Sequence, residues 1–278
     1  MDGRWLELAD GVFARRHDGL DLTTGLVLGA DRALVVDTRG DDVQGAELAA
    51  AVRTVTTLPP VVAITHAHFD HCFGTSAFPG VPVYAQAGCA AALAVTAAAQ
   101  RAEWVRHHRD AGDDRTADAL AATVPVLPDV PVCPRPGSSH PVDLGGRVVE
   151  LVHPGPAHTG HDLAVHVPDA RVLFAGDLLE NGAPPSVGPD AYPSRWPDAL
   201  ALLLARDAAT YVPGHGDPMS PGEAATQHAG LLAAAGAAAG AAAGAGAAAG
   251  AAAGAAAAAG AGAADGGAAD GGATGPGR

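Results

Sequence analysis

The 278-residue chain contains no lysine; all 16 of its basic residues are arginine. That absence excludes Schiff-base chemistry, a P-loop lysine and a Ser-x-x-Lys nucleophile. Positive charge is short overall. Thirty acidic residues against 16 basic ones leave a net charge of −14. Such a chain is not expected to bind nucleic acid, because phosphate contacts need clustered cations. Cysteine is scarce too: Cys72, Cys89 and Cys133 are odd in number and far apart. No disulfide framework is expected, and a reducing, cytoplasmic setting is. The opening segment MDGRWLELADGVFARR has no basic stretch followed by an apolar run, so no signal peptide is expected.

Side chains able to build a core run out near residue 229. Residues 229–278 hold 28 Ala and 15 Gly in 50 positions, with no aromatic and no β-branched residue but Thr274. Each Gly inside a helix costs about 1 kcal/mol against Ala. The composition predicts a disordered or weakly helical tail outside the domain. Its repeats are too poor in side chains for a packed solenoid, and its glycine makes it a poor membrane span. Residues 1–228 remain as the domain, long enough for a sizeable core.

Within that domain short β patterns alternate with helical ones. TTGLVLGADRALVVDTR reads as two strands about a Gly-Ala-Asp-Arg turn, GAELAAAVRTV as a helix, and PPVVAITHAH and VPVYAQ as strands. Residues 86–124 read as an Ala-rich helical insert. RVVELVHPGPAH and DLAVHVPDARVLFAGD supply three strands. DALALLLA is a helix with Leu200, Leu203 and Leu204 on one face, and ATYVPGHG is a last strand and loop. Ser-Pro-Gly-Glu at Ser220 to Glu223 predicts a capping box with proline at the first helical position. The alternation implies an α/β fold, with sheets covered by helices.

The apolar strand VVAIT runs directly into His66, His68, Asp70 and His71. Side-chain direction in a strand has period 2, so His66 and His68 can point the same way and share one zinc ion. Asp70 and His71, on the turn beyond, can face a second ion. Ordinary polar loop residues are a poor explanation, because three of the 13 histidines fall within six residues. Further candidates sit where later strand patterns give way to Gly- or Pro-containing loops: His158, Asp177 and His215. A donor set of nitrogen and oxygen without sulfur suits zinc or a similar first-row ion. Cys72 reads as a small packing residue and Asp162 as an orienting partner rather than a ligand. His161 competes with His158 for the third position and reads as solvent-facing or supporting. His153 and His166 lie in strand patterns and read as structural.

Over most of residues 8 to 228 the chain resembles the metallo-β-lactamase fold superfamily, with the motifs THAHFDH, GPAHTGHD, FAGDLL and VPGHG in matching order. The resemblance implies a four-layer αββα sandwich with metals at its open edge. It implies one ion held by His66, His68 and His158, another held by Asp70, His71 and His215, and Asp177 bridging the two. Asp37 in LVVDT would support the loop from beneath. It also implies hydrolysis of a small-molecule ester, thioester or lactone, with Asp70 and Asp177 at the reacting centre and two zinc ions activating a bridging hydroxide. Asp177 replaces the cysteine of many zinc β-lactamases, which turns the expectation away from lactams. The helical domain that glyoxalase II uses for glutathione is missing, and RNA-processing relatives need basic surface that this chain lacks. Flavodiiron-type relatives carry Glu at the position of His68. The rival reading is an oxidoreductase similar to persulfide dioxygenases, which use one iron held by two His and one Asp. A third is a binding module with a vestigial site, against which the complete ligand set speaks. No membrane partner is expected, and oligomeric state is not legible. The basic segment RAEWVRHHR at Arg101 to Arg109 reads as a solvated helix face before an anion site. Tyr192 and Asn181, in the loop after Asp177, are candidate substrate contacts.

Overall fold

A computed structural model describes residues 3–238; the chain divides into two units, Met1–Leu232 and Ala233–Arg278. In the first unit the chain runs β1 (Arg4–Ala9), β2 (Val12–Arg16), β3 (Thr23–Leu28), β4 (Ala33–Val36), α1 (Asp42–Val55), β5 (Pro60–Ala63), α2 (Phe69–Cys72) and β6 (Val83–Gln86). It continues through α3 (Cys89–Asp110), α4 (Asp114–Ala122), β7 (Val130–Val132), β8 (Ser139–Asp143), β9 (Val148–Val152), β10 (Ala164–Val167), β11 (Val172–Glu180), α5 (Trp196–Leu204) and β12 (Thr210–His215). Residues 221–232 close the unit as helix. Of the second unit, residues 233–238 are described and helical. The tail expectation for residues 239–278 lies outside the described residues.

Strands β1 to β7 form one sheet in sequence order, and β12-β11-β10-β9-β8 form another. Strict alternation along the strands decides what each sheet covers. In β4, Leu34 and Val36 point into the core between the sheets, while Ala33 and Val35 point to the outer helices. Val172 and Phe174 of β11 do the same from the second sheet, with Leu173 and Ala175 facing outward. Leu48 and Val52 of α1 and Leu93 of α3 cover the first sheet, and Trp196, Leu200 and Leu203 of α5 cover the second. The result is the expected four-layer αββα sandwich. Leu231 also packs against the second outer core, past the residue at which the composition changes.

Local signals account for the ends of elements. The Asp41 side chain caps α1 by accepting from Gln44 N at 2.8 Å. Ser220 and Glu223 form the reciprocal capping box, with Ser220 N donating to Glu223 Oε2 at 2.7 Å and Glu223 N donating to Ser220 Oγ at 3.3 Å. Helices α3 and α4 fill the segment read as a helical insert. The β1–β2 hairpin and the short strands β7 and β8 were not foreseen. Strand β1 is an edge strand with no fully buried position, so Trp-Leu-Glu-Leu-Ala carries no clean alternation. No helix among the described residues is long and apolar enough to cross a membrane.

Candidate metal centre

Every candidate ligand but Asp177 sits at the end of a strand or in the loop beyond it. After β5 the chain turns through His66 and His68 into the single turn of α2, which carries Asp70 and His71. Asp37, immediately after β4, locks this loop from beneath. Its carboxylate accepts from Thr65 N, Thr65 Oγ1 and His71 Nδ1, each at 2.8 Å. The residue adopts the left-handed conformation, φ 62°, which an Asp tolerates better than most side chains. His158 follows β9, its ring 5.5 Å from that of Trp196. Asp177 lies within β11 and His215 ends β12, the parallel neighbour. A Cβ on Gly214 would fall 1.8 Å from Asp177 Oδ1, so only glycine lets β12 pass this carboxylate.

The hydrogen-bond partners of the five imidazoles fix which ring nitrogens are free. Thr65 spends its hydroxyl proton on Asp37, so it accepts from His66 Nδ1 at 3.0 Å. His68 Nε2 donates to Asp190 Oδ2 at 3.2 Å, His158 Nδ1 to the Ser186 carbonyl at 3.1 Å and His215 Nδ1 to the Leu20 carbonyl at 2.7 Å. His71 Nδ1 donates to Asp37. In the neutral rings the opposite nitrogens carry lone pairs, and all of them turn inward. His68 Nδ1 lies 3.0 Å from both His66 Nε2 and His158 Nε2. Three lone pairs at that spacing repel unless a proton or a metal cation sits among them. His71 Nε2 and Asp177 Oδ1, 3.1 Å apart, are buried with no hydrogen-bond partner. His215 Nε2 lies 3.4 Å from Asp70 Oδ2 and 3.4 Å from Asp177 Oδ2. Asp177 Oδ2 is also 3.4 Å from His158 Nε2 and 3.8 Å from His66 Nε2. The donor atoms thus fall into two groups, His66, His68, His158 and Asp177 in one, Asp70, His71 and His215 in the other, and within each group they lie within 4.8 Å of one another. The donor set fits cations, and with the family match below it marks the chain as metal-binding.

Electrostatics separates His66 and His158 from His71 and His215, while in the first group, against the effect of burial, Asp190 and Asp70 raise His68. Burial, with His71 nearby, pushes the His66 imidazole well below its ordinary value, and burial lowers His158 as well. Both stay neutral and able to ligate. Burial works against charge on His71 and His215 too, but Asp177 and Asp70 outweigh it. They hold His71 well above the usual range and raise His215 to about 11. Burial opposes ionisation of Asp177, yet His71 and His66 bring its carboxyl well below the usual range. The second group therefore calls for positive charge, from protons or from a metal ion.

The supporting residues divide cleanly. Asp162 accepts from Thr159 N and Thr159 Oγ1 and so shapes the His158 loop; burial raises its carboxyl to about 7. His161 is not solvent-facing: its Nε2 accepts from Ala67 N at 3.2 Å, bracing the loop between His66 and His68. His153 Nδ1 donates to the Asp162 carbonyl at 2.7 Å, and His166 lies 3.5 Å from Glu150. The Cys72 thiol donates to the His68 carbonyl and is not a ligand, burial having pushed it well up. Asn181 donates to the Asp217 carbonyl behind the His215 loop and does not line the cleft. Tyr192 borders a smaller neighbouring cavity, with Ala67 and His161. Asp190 and the carbonyls of Leu20 and Ser186, which orient three of the imidazoles, were missed by sequence reasoning. Backbone carbonyls have no residue-type signature, and Asp190 sits in an unpatterned Gly/Pro-rich loop.

Above these atoms opens a cleft of about 620 Å³, walled by Leu20, Phe69, Trp104, Glu103, Glu180 and Pro189 besides the candidate donors. The segment read as a basic helix face is mostly occupied elsewhere. Arg101 donates to the Thr123 carbonyl, and Arg109 pairs with Asp114 and Asp118.

The sequence profile of the Metallo-beta-lactamase superfamily matches residues 18–215. Among curated proteins, a metallo-beta-lactamase type 2 from Bacillus sp. (strain 170) is 28% identical over 204 residues, 70% of this chain and 66% of that protein. The 2,4-dinitroanisole O-demethylase subunit alpha of Nocardioides sp. (strain JS1661) is 34% identical over 74 residues, 27% of this chain and 23% of its own length. Both alignments span less than two thirds of the relative. Among solved structures, a metallo-beta-lactamase from Pontibacter korlensis matches with a TM-score of 0.65 at 22% identity, covering 83% of this chain and 99% of that one. The metallo-beta-lactamase FIM-1 from Pseudomonas aeruginosa, in its mono-zinc form, matches with a TM-score of 0.64 at 20% identity, over 84% and 97% of the two chains. At these identities the structures speak for the fold.

Proposed function

The chain belongs to the metallo-beta-lactamase superfamily, and on that footing we propose that it is a metal-dependent hydrolase of a small ester, thioester or lactone. The observation that carries the reading is the convergence of five imidazole nitrogens and two carboxylates on two adjacent points at the floor of the cleft. His66, His68 and His158 would hold one ion and Asp70, His71 and His215 the other, with Asp177 reaching both. Zinc suits this all-nitrogen-and-oxygen set. When bound, such ions supply an activated water and a Lewis acid that polarises the scissile carbonyl.

The chain's own part is to place and neutralise. Asp37, Asp190 and the carbonyls of Leu20 and Ser186 hold the imidazoles in the tautomers that leave the inward nitrogens free. Asp177 balances positive charge on both sides. Asp70, with Oδ2 3.4 Å from His215 Nε2, lines the cleft and is the carboxylate placed to take a proton from water there. Asp177 in place of cysteine supports an ester-type substrate over a lactam.

The deciding experiment is metal analysis of protein purified under low-metal conditions, with a panel of thioesters, lactones, esters and β-lactams. About two zinc per chain and turnover of an ester-type substrate are expected. About one iron per chain, with oxygen consumed in the presence of a persulfide and no hydrolysis, would overturn the reading in favour of a dioxygenase.

A further inference from the structure

Helix α3 presents Thr96, Ala99, Gln100 and Glu103 to the cleft, one stripe at helical spacing. Gln100 braces the ligand loop: its Oε1 accepts from Phe69 N and its Nε2 donates to the Ala67 carbonyl, both at 2.9 Å. One turn further along, Glu103 is exposed to the cleft and its carboxylate has no hydrogen bond or ion pair with the described residues. Beside it the Trp104 ring stacks on Phe69, with centroids 4.4 Å apart and 30° between planes. Besides the candidate metal ligands Asp70 and Asp177, two more carboxylates line the same space, and both are engaged. Glu180 accepts from Ser186 N at 2.9 Å, and Asp190 accepts from His68. No arginine lines the cleft, and the chain has no lysine to reach it. The wall of the cleft is thus anionic and aromatic, with one free carboxylate.

Resting on the hydrolase reading, we propose that this cleft selects substrates carrying a cationic group, an ammonium or quaternary ammonium, and that Glu103 is the residue that recognises it. The ions on the cleft floor would attract anions there, but at this wall a substrate carboxylate would find no positive side chain and would face Glu103, Glu180 and Asp190. A substrate cation placed at the wall meets complementary charge. Its alkyl substituents can rest against the Trp104–Phe69 stack while the charge stays beside Glu103. Because Glu103 is solvent-exposed, its contribution is modest and salt-sensitive, about threefold to tenfold in selectivity.

The test uses the zinc-loaded full chain and three esters of equal length, ending in trimethylammonium, tert-butyl or carboxylate. At low salt, kcat/KM for the trimethylammonium ester should exceed that for the tert-butyl ester by about threefold to tenfold, with the carboxylate ester slowest. Glu103→Gln should bring the first ratio toward one, and Glu103→Arg should favour the carboxylate ester. Asp110→Asn, on the same helix but outside the cleft, should keep the wild-type ratio. A wild-type ratio of one or less overturns the proposal, as does an Asp110→Asn effect equal to that of Glu103→Gln, which would assign the preference to net charge alone. If none of the esters turns over, the hydrolase reading fails separately. The selection is then read by calorimetric binding of the trimethylammonium alcohol and its tert-butyl counterpart. Tighter binding of the cation, lost in Glu103→Gln, sustains it, and equal binding sinks it.

Discussion

Asp37 touches neither cleft nor substrate, yet three hydrogen bonds converge on its two oxygens. A carboxylate can accept all three, whereas an amide offers one acceptor oxygen and an NH2 that faces other donors. Asp37→Asn is therefore expected to free the His71 ring and to unseat Thr65, and through it His66. Affinity for zinc should fall by about 10- to 100-fold, the usual range for losing a partner that orients a ligand. Titration against a competing chelator checks this. Unchanged affinity in a folded Asp37→Asn protein would show that His71 needs no support. His68 gives a sharper outcome. It occupies the middle of the lone-pair triangle, so His68→Ala should release the ion held there and abolish hydrolysis. Full metal content and near-normal turnover in that variant would remove it from the donor set.

Among the elements, the β11–β12 pair decides most, because it brings Asp177 and His215 onto one edge. The two strands run parallel, and Gly214 lies against the Asp177 carboxylate with no space for a methyl group. Gly214→Ala is expected to cost about 1–3 kcal/mol, as overpacking does in a tight interior. It should also displace Asp177, and a displacement on the order of 1 Å lowers turnover roughly 100-fold. Melting temperature and zinc stoichiometry measure the two effects apart. A variant with wild-type metal content and rate would mean that β12 shifts to absorb the methyl. Buried strands were legible at this scale: residues 33–36 and 172–175 are apolar at every position, because one face meets the opposite sheet and the other the covering helices. The β1–β2 hairpin was not legible, since an edge strand with both faces partly wet has no period to read.

For the molecule as a whole, the buried carboxylates tie stability to protons and to metal. In the metal-free protein Asp177 and Asp70 raise His71 and His215 above their ordinary value of 6.5, His215 to about 11. The folded state then holds protons that the unfolded chain releases near pH 6.5. This stabilisation is complete below that pH and is lost as pH climbs toward about 11. Metal-free protein should therefore melt at progressively lower temperature between pH 7 and pH 10, while zinc-loaded protein, whose carboxylates are neutralised by the ion, should change much less. Zinc binding at pH 7 should also release about two protons, from His71 and His215, measurable by calorimetry in buffers of different ionisation enthalpy. No proton release would mean that the two imidazoles are already neutral.

The sequence by itself determined the candidate donors and the layers. Metal ligation demands particular side chains, so His66, His68, Asp70 and His71 stand out as a cluster directly after an apolar strand. Their candidate partners His158, Asp177 and His215 follow in the order of the family's motifs. Packing two sheets between helices demands central strands that are apolar on both faces, and this too is written in residue type. Tertiary structure alone decided which nitrogen of each imidazole faces inward, because the choice belongs to partners such as the Leu20 carbonyl, 195 residues from His215. It also decided that Glu103 stands free beside the cleft while Arg101 and Arg109, on the same helix, are drawn to Thr123, Asp114 and Asp118. Residue type states what chemistry a side chain can do. Which atoms it meets depends on contacts between segments far apart in the chain, and those exist only once the sheets and helices have packed.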